Sequence, residues 1–400
     1  MKYLVVHCED RTVSADTRAD GLLETARLPY LQQLAQAGAV GVLSPRPRGM
    51  VARWRRARPV AHAELSLAWL GQGLLVSQVN GLAGGPGHCY AASANVDVAP
   101  QEIAWCCELV TQHDGRLIDP TAGRIPTPEA ATLIQALNDR LGRQGMRWVT
   151  GQGSHHVLLV QAPELLPLVS KAALEPPERL IGRFWRRHLP RHELGLWLRQ
   201  VIEQASAVLD GHETNRVRVD LGENPANMMW LWGPAAEGRV MPFQDRAGLS
   251  AVVLSSSFFL RGIARLLGVT WIEGLANFDE ASCQNLQQRV LQLLTSHDVA
   301  YVHLPIESRD RVERQWIMER LDQMVIRPVA EALMGYGAFR CLAAVDDLSS
   351  RSTTFVAVGT NLLGQPAVRL TAQEARKTGL VFHDGTALLN WFLGAPIREP

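Results

Sequence analysis

Tyr3-Leu4-Val5-Val6, followed at once by the polar break His7-Cys8-Glu9-Asp10, is the stretch from which the fold of this chain is read. An unbroken apolar run, rather than an alternating one, predicts a strand buried on both faces, as in parallel sheets. The run is too short for a membrane span or a cleaved leader, so a strand in a cytoplasmic protein is expected. Similar runs recur at Val157 to Val160, Ala251 to Leu254, Val299 to Val302 and Cys341 to Val345. Amphipathic stretches with apolar residues three and four apart lie at Leu28 to Ala37, Pro128 to Leu141, Leu194 to Leu209, Phe259 to Leu267, Ala281 to Ser296 and Arg311 to Leu333. This alternation predicts an α/β fold, a parallel sheet core flanked by helices. Its ligands would sit at the carboxyl ends of the strands, where Glu9, Asp346 and Asp347 fall.

The segment from about Leu82 to Pro190 reads differently, with Gly84-Gly85-Pro86-Gly87 at its start, a His113-Asp114-Gly115 turn, and a Pro-rich stretch from Leu174 to Arg179. A smaller inserted α+β domain is therefore expected over 81–199, with 1–80 and 200–400 forming the core. The 400 residues, 47% of them hydrophobic, suffice for two such units.

The balance of 40 basic and 39 acidic side chains leaves a net charge of +1, which gives the whole chain no pull toward nucleic acid or a membrane surface. Charge is concentrated locally instead. Arg46, Arg48, Arg53, Arg55, Arg56 and Arg58 surround Trp54, and Arg183, Arg186, Arg187 and Arg191 surround Trp185. Both patches suit a solvated face; both also suit an acidic protein partner or a nucleic-acid backbone. The six cysteines form no CxxC pair, so neither a zinc knuckle nor a disulfide framework is signalled. Cys106-Cys107 beside Trp105 reads as buried packing on a strand of the inserted domain, with redox or metal chemistry as the outsider.

Asp114-Gly115-Arg116-Leu117-Ile118-Asp119-Pro120-Thr121-Ala122-Gly123-Arg124-Ile125 resembles the "DGxIxDRRAGRI" hairpin of archaeal-type 2,3-bisphosphoglycerate-independent phosphoglycerate mutases. Asn224-Pro225-Ala226-Asn227 with Trp232-Gly233-Pro234-Ala235 is similar to that family's "PAN" and "RGAG" segments, and Phe259 to Gly268 to its "KGIARLLG" helix. Weaker matches in the same order extend over the whole chain. The resemblance implies an alkaline-phosphatase-like core with an inserted domain closing over the substrate cleft.

It also implies chemistry. Family members hold two divalent metals, commonly manganese, with Asp and His side chains, and a serine accepts the phosphoryl group. Laid on this sequence, the first metal Asp falls on Glu9 and the Gly-Ser-Asp nucleophile motif on Arg58 to Val60, which contains no serine. The "TDEAGH" segment falls on Glu307 to Val312, and "GDHSTP" on Val345 to Ser350. Glu9, Asp346 and Asp347 remain as metal positions for manganese or magnesium, and no other cofactor is expected. Of the substrate positions, Arg124, Arg261 and Asn227 persist, while Gly84, Cys106, Glu108 and Trp232 stand where the family pattern has other residues. Ser66 and Ser257 are candidate replacement nucleophiles without a Gly-x-Ser-x-Gly elbow. His303, at the end of an apolar strand, reads as a satisfied, partly buried histidine, with a vestigial ligand or general base as the alternative.

The sequence therefore points to a mutase-family protein that has lost phosphoryl transfer, with no catalytic residue assigned, and that acts by binding a small phosphorylated or acidic ligand or a protein. The alternatives are an active metal-dependent mutase or phosphatase with a rebuilt site, and a nucleic-acid accessory protein using the Arg/Trp patches.

Overall fold

The computed structural model describes residues 1–10, 21–44, 85–142, 145–169, 174–238, 240–275, 277–308, 310–347 and 352–394. The Arg46 to Arg58 patch, the missing nucleophile motif at Arg58 to Val60, Ser66 and Gly84 lie outside these residues. The chain divides into two compact units: Met1–Leu75 with Met241–Ser257 and Leu267–Pro400, and Val76–Val240 with Phe258–Leu266.

Strands are numbered in chain order. In the first unit β1 (Lys2–Asp10), β2 (Ala39–Leu43), β8 (Ala251–Ser255), β9 (Thr270–Glu273), β10 (Val299–Ile306), β11 (Phe339–Asp347), β12 (Ser352–Gly359) and β13 (Val381–Phe382) form one sheet, in the order β13-β2-β12-β11-β1-β10-β8-β9. The apolar run that opens the sequence is the centre of it. β1 lies parallel to both β10 and β11, with Val6 opposite Val302 and Ala343. β12 runs antiparallel to β11 and β2, so the sheet is parallel-dominated rather than all-parallel. Leu4, Val6 and Cys8 face one hydrophobic core, which the helices Pro29–Ala37 and Glu280–Ser296 complete with Leu31, Leu34, Val290 and Leu294.

The helix expected over Arg311 to Leu333 is interrupted. Arg311–Leu321 passes into a π turn at Asp322–Ile326 before Arg327–Met334 resumes. Pro328 brings no N–H to the regular ladder there. The buried Asp322 carboxylate instead accepts the N–H groups of Tyr30 (3.0 Å) and Leu31 (2.8 Å), in the first turn of helix Pro29–Ala37. Burial raises the Asp322 carboxyl above its ordinary value, outweighing those amide bonds.

The second unit is built on β3 (Glu102–His113), which pairs antiparallel with β4 (Arg116–Asp119), β6 (His155–Gln161) and β7 (Met228–Ala236), while β5 (Met146–Gln152) pairs with β6. Helices Thr127–Leu141 and Glu193–Asp210 share a hydrophobic core with one face of this sheet, through Leu133, Leu137, Leu198 and Ile202. On the other face helices Pro86–Ser93 and Phe258–Leu266 touch so closely that a Cβ on Gly262 would lie 1.8 Å from the Cys89 carbonyl oxygen; only glycine fits. The unit therefore extends beyond the 81–199 limits read from the sequence, because β7 completes its sheet and Phe258–Leu266 packs on Pro86–Ser93. Cys106 and Cys107 are buried in β3. Among the described residues no helix is long and apolar enough to cross a membrane.

Candidate functional site

Strand alternation brings His7 and Glu9 of β1, Tyr301 and His303 of β10, Asp346 of β11 and Ser255 of β8 to one face of the sheet, opposite Cys8 and Val6. All are buried. His7 Nε2 lies 3.2 Å from Asp346 Oδ1 and 3.3 Å from Oδ2, and its Nδ1 2.7 Å from the Tyr301 hydroxyl. The Thr353 hydroxyl of β12 donates to Asp346 Oδ1 at 2.6 Å. One strand along, His303 Nε2 is 2.8 Å from Glu9 Oε2 and Nδ1 2.8 Å from Ser255 Oγ, which also accepts the Ser257 N–H at 3.0 Å.

One tautomer satisfies both histidines. Nε2–H donates to a carboxylate, and Nδ1 accepts a proton from the Tyr301 or Ser255 hydroxyl. In this arrangement each buried carboxylate has an imidazole against it. Ser255 is oriented by His303 but wholly buried.

The cations implied by the resemblance can be tested against this donor set. A two-metal centre needs several carboxylate and imidazole donors converging on each ion. Here Glu9 and Asp346 each accept from an imidazole, and among the described residues no group of three or more His, Cys, Asp or Glu side chains is placed to hold a metal. The described residues do not fit a two-metal centre. Asp347 ends β11 in register with Ser352. Asp310, inside the segment matched to "TDEAGH", caps helix Arg311–Leu321 by accepting the Val312 N–H at 2.9 Å, and Ser308 donates to Glu313.

In the second unit the three expected substrate residues serve three different elements. Arg124 ends a run of left-handed residues, Ala122 (φ 47°), Gly123 (69°) and Arg124 (57°), and its side chain is exposed. The run is held by Asp119, whose carboxylate accepts the Thr121 N–H (2.8 Å) and hydroxyl (2.7 Å), the Gly123 N–H (3.2 Å) and the Asn224 amide (2.9 Å). Arg218, buried, donates to the carbonyls of Ala122 (2.8 Å) and Asn224 (3.0 Å) and pairs with Glu129 at 2.6 Å. The Asn227 amide closes two bonds with the backbone of Gln112, 2.9 Å to N and 3.0 Å to O. Arg261 donates to Ser93 Oγ at 3.0 Å, with its guanidinium 5.2 Å over the Phe258 ring.

Positions read from separate segments do meet elsewhere. Cys106 is in register with Trp232, and Glu108, 1% exposed, accepts the Tyr90 hydroxyl (2.6 Å), His155 Nδ1 (2.7 Å) and, at 3.4 Å, Trp232 Nε1. Burial, and then the Glu108 charge, push the Tyr90 phenol well above its ordinary value. Sequence reasoning passed over Tyr90, His155, His7, Tyr301, Thr353 and Ser255. Period-two alternation from Glu9 and His303 would have found His7 and Tyr301; Tyr90 and His155 had no local signal.

A parallel-dominated sheet carrying acidic side chains at its strand ends, with an antiparallel α+β unit interposed in sequence, gives an alkaline-phosphatase-like fold. The model of 2,3-bisphosphoglycerate-independent phosphoglycerate mutases matches residues 80–215. Enzymes of that name from Methanothermobacter thermautotrophicus (number 2 of that organism) and Methanopyrus kandleri are 28% and 26% identical, over 78% and 98% of this chain and 75% and 93% of theirs. In the solved structures, a cofactor-independent phosphoglycerate mutase of Thermoplasma acidophilum (17% identity, TM-score 0.55, 98% and 99% coverage) and a Pyrococcus horikoshii protein (16%, 0.66, 100% and 99%) share the fold. The chain is thus similar to 2,3-bisphosphoglycerate-independent phosphoglycerate mutases, by the family model over residues 80–215 and by these relatives over most of its length.

Proposed function

We propose that this chain is a family member that has lost phosphoryl transfer and acts by binding. The observation that carries the reading is the pairing of Glu9 with His303 and of Asp346 with His7 and Thr353. A cation entering there must displace imidazole and hydroxyl donors from both buried carboxylates before it gains a ligand. Phosphoryl transfer also needs positive charge on the equatorial oxygens and an in-line nucleophile. In the second unit a buried carboxylate, Glu108, occupies a position where the family pattern has an asparagine, beside Trp232 in place of an arginine. A phosphate dianion gains less there.

Calorimetry with Mn²⁺ and a 3-phosphoglycerate turnover assay test this together. We expect no stoichiometric metal binding and no turnover. The rival reading is an active metal-dependent mutase or phosphatase, and it draws on the same four side chains, because imidazole and carboxylate are the donors such cations take. Tight binding of manganese with turnover that disappears in Glu9→Ala establishes the rival and overturns the loss of transfer.

A further inference from the structure

Arg183-Phe184-Trp185-Arg186-Arg187 is fastened to β4 by backbone bonds: Gly182 N–H to Leu117 O (2.7 Å), Leu117 N–H to Arg183 O (3.1 Å) and Trp185 N–H to Gly115 O (3.1 Å). Its arginines therefore stand on a rigid mount. The Phe184 ring carries two guanidiniums, Arg116 at 3.8 Å and Arg187 at 5.1 Å, and Arg116 also donates to Gly182 O at 2.8 Å. The Arg186 guanidinium lies 4.5 Å over Trp185. Stacking covers one face of each group, and the N–H edge of Arg187 remains for a planar oxyanion.

Neutralisation is incomplete. Arg186 (2.9 Å) and Arg199 (3.0 Å) share a single oxygen of Glu203, and Arg183, Arg187 and Arg191, all exposed, form no ion pair with any described residue. Burial works to raise the Glu203 carboxyl, and the Arg186 and Arg199 hydrogen bonds outweigh it, so this acid stays ionised and fixes both partners. Apolar groups stand beside the charges: Ile118, 44% exposed, two residues along β4 from Arg116, and Leu196, 70% exposed, one helical turn before Arg199. Next to Arg186 opens a recess of about 380 Å³, bordered by Gln112, Trp185, Ser206 and Met228 among others.

We propose that this face docks an acidic polypeptide segment that places an apolar side chain between its carboxylates. Three unpaired arginines supply charge complementarity, and the recess with Leu196 and Ile118 supplies the anchor site that protein interfaces concentrate their energy in. A nucleic-acid strand fits the same observations less well. Trp185 is only 3% exposed and offers no ring for base stacking, and the recess is bordered by the carboxylates of Asp114 and Glu203, which repel phosphates. Nothing in this inference depends on whether the first unit transfers phosphoryl groups.

Fluorescence anisotropy on the full chain tests it, with a labelled peptide of interspersed glutamates and leucines, the same peptide with serine for leucine, and oligouridine RNA as probes. The leucine-bearing peptide is expected to bind most tightly. The triple variant Arg183→Glu, Arg187→Glu, Arg191→Glu should weaken it by at least about tenfold, and Leu196→Ser by about threefold, with thermal melts unchanged because all four side chains are exposed. If reversal to glutamate unsettles the fold, the Arg→Gln set should still weaken binding. Tighter binding of RNA than of peptide, no binding of the peptide, or affinity indifferent to the arginines would each overturn the proposal. Manganese binding and turnover read Glu9, Asp346 and the positions around Glu108, none of which these variants change, and leave this outcome untouched.

Discussion

The Asp119 turn of the second unit and the Glu9/Asp346 face of the first are both dense with buried polar groups, but their partners differ in kind. Asp119, Arg218 and Asn227, beside their side-chain partners Thr121, Asn224 and Glu129, bond to backbone N–H and C=O groups, which residues other than proline carry whatever their side chain. Glu9 and Asp346 bond to the side chains of His303, His7 and Thr353. A backbone group cannot be substituted away, so the side chain that satisfies it is difficult to replace. A pair of side chains can change together. The hairpin's sequence resemblance is clear and the strand-end resemblance faint, and this difference in partner gives a physical reason for it.

The largest effect expected from this comparison is at Arg218. Arg218→Met leaves the carbonyls of Ala122 and Asn224 without their donor and should destabilise the second unit by about 3 kcal/mol, read as a shift of the denaturant midpoint; Glu129, which is partly exposed, is resolvated and softens the loss. Next comes the Glu9–His303 pair. Glu9→Leu and His303→Leu should each cost about 2 kcal/mol, and the double variant less than their sum, a coupling of about 1 to 2 kcal/mol by a double-mutant cycle. Strict additivity would put the two regions on the same footing and break the contrast.

Asp119→Asn is the smallest, about 1 kcal/mol near neutral pH, and its signature lies in acid. Burial alone would raise the Asp119 carboxyl; the bonds from Thr121, Asn224 and Gly123 outweigh it and hold it below the usual carboxylate range. Its stabilising contribution is therefore complete above the unfolded value, near pH 4, and is lost as pH falls through the lower folded value. Stability measured between neutral pH and about pH 2 should fall less steeply in Asp119→Asn than in the parent chain.

Much of the fold was legible because burial on both faces writes itself into consecutive residues. The apolar runs at Tyr3 to Val6 and Val299 to Val302 are neighbouring strands β1 and β10, and Glu280–Ser296 is the helix that their spacing predicts. The π turn at Asp322 escaped although Pro328 follows it, because the groups its carboxylate satisfies, Tyr30 and Leu31, lie nearly three hundred residues away. The site was legible in part. Glu9, Asp346 and His303 do stand at strand ends on one sheet face, but residue types alone cannot say that a carboxylate already has a histidine against it. Likewise Trp185, which a linear reading sets among arginines as a stacking surface, is a buried floor beneath them.

All six cysteines are buried thiols outside any disulfide, three in each unit: Cys8, Cys283 and Cys341 in one, Cys89, Cys106 and Cys107 in the other. Burial raises each thiol above its ordinary value, so the reactive thiolate is scarce while the fold is closed. The chain thus carries an internal clock for its own opening. The order in which the two sets react with a thiol reagent records which half of the molecule lets go first.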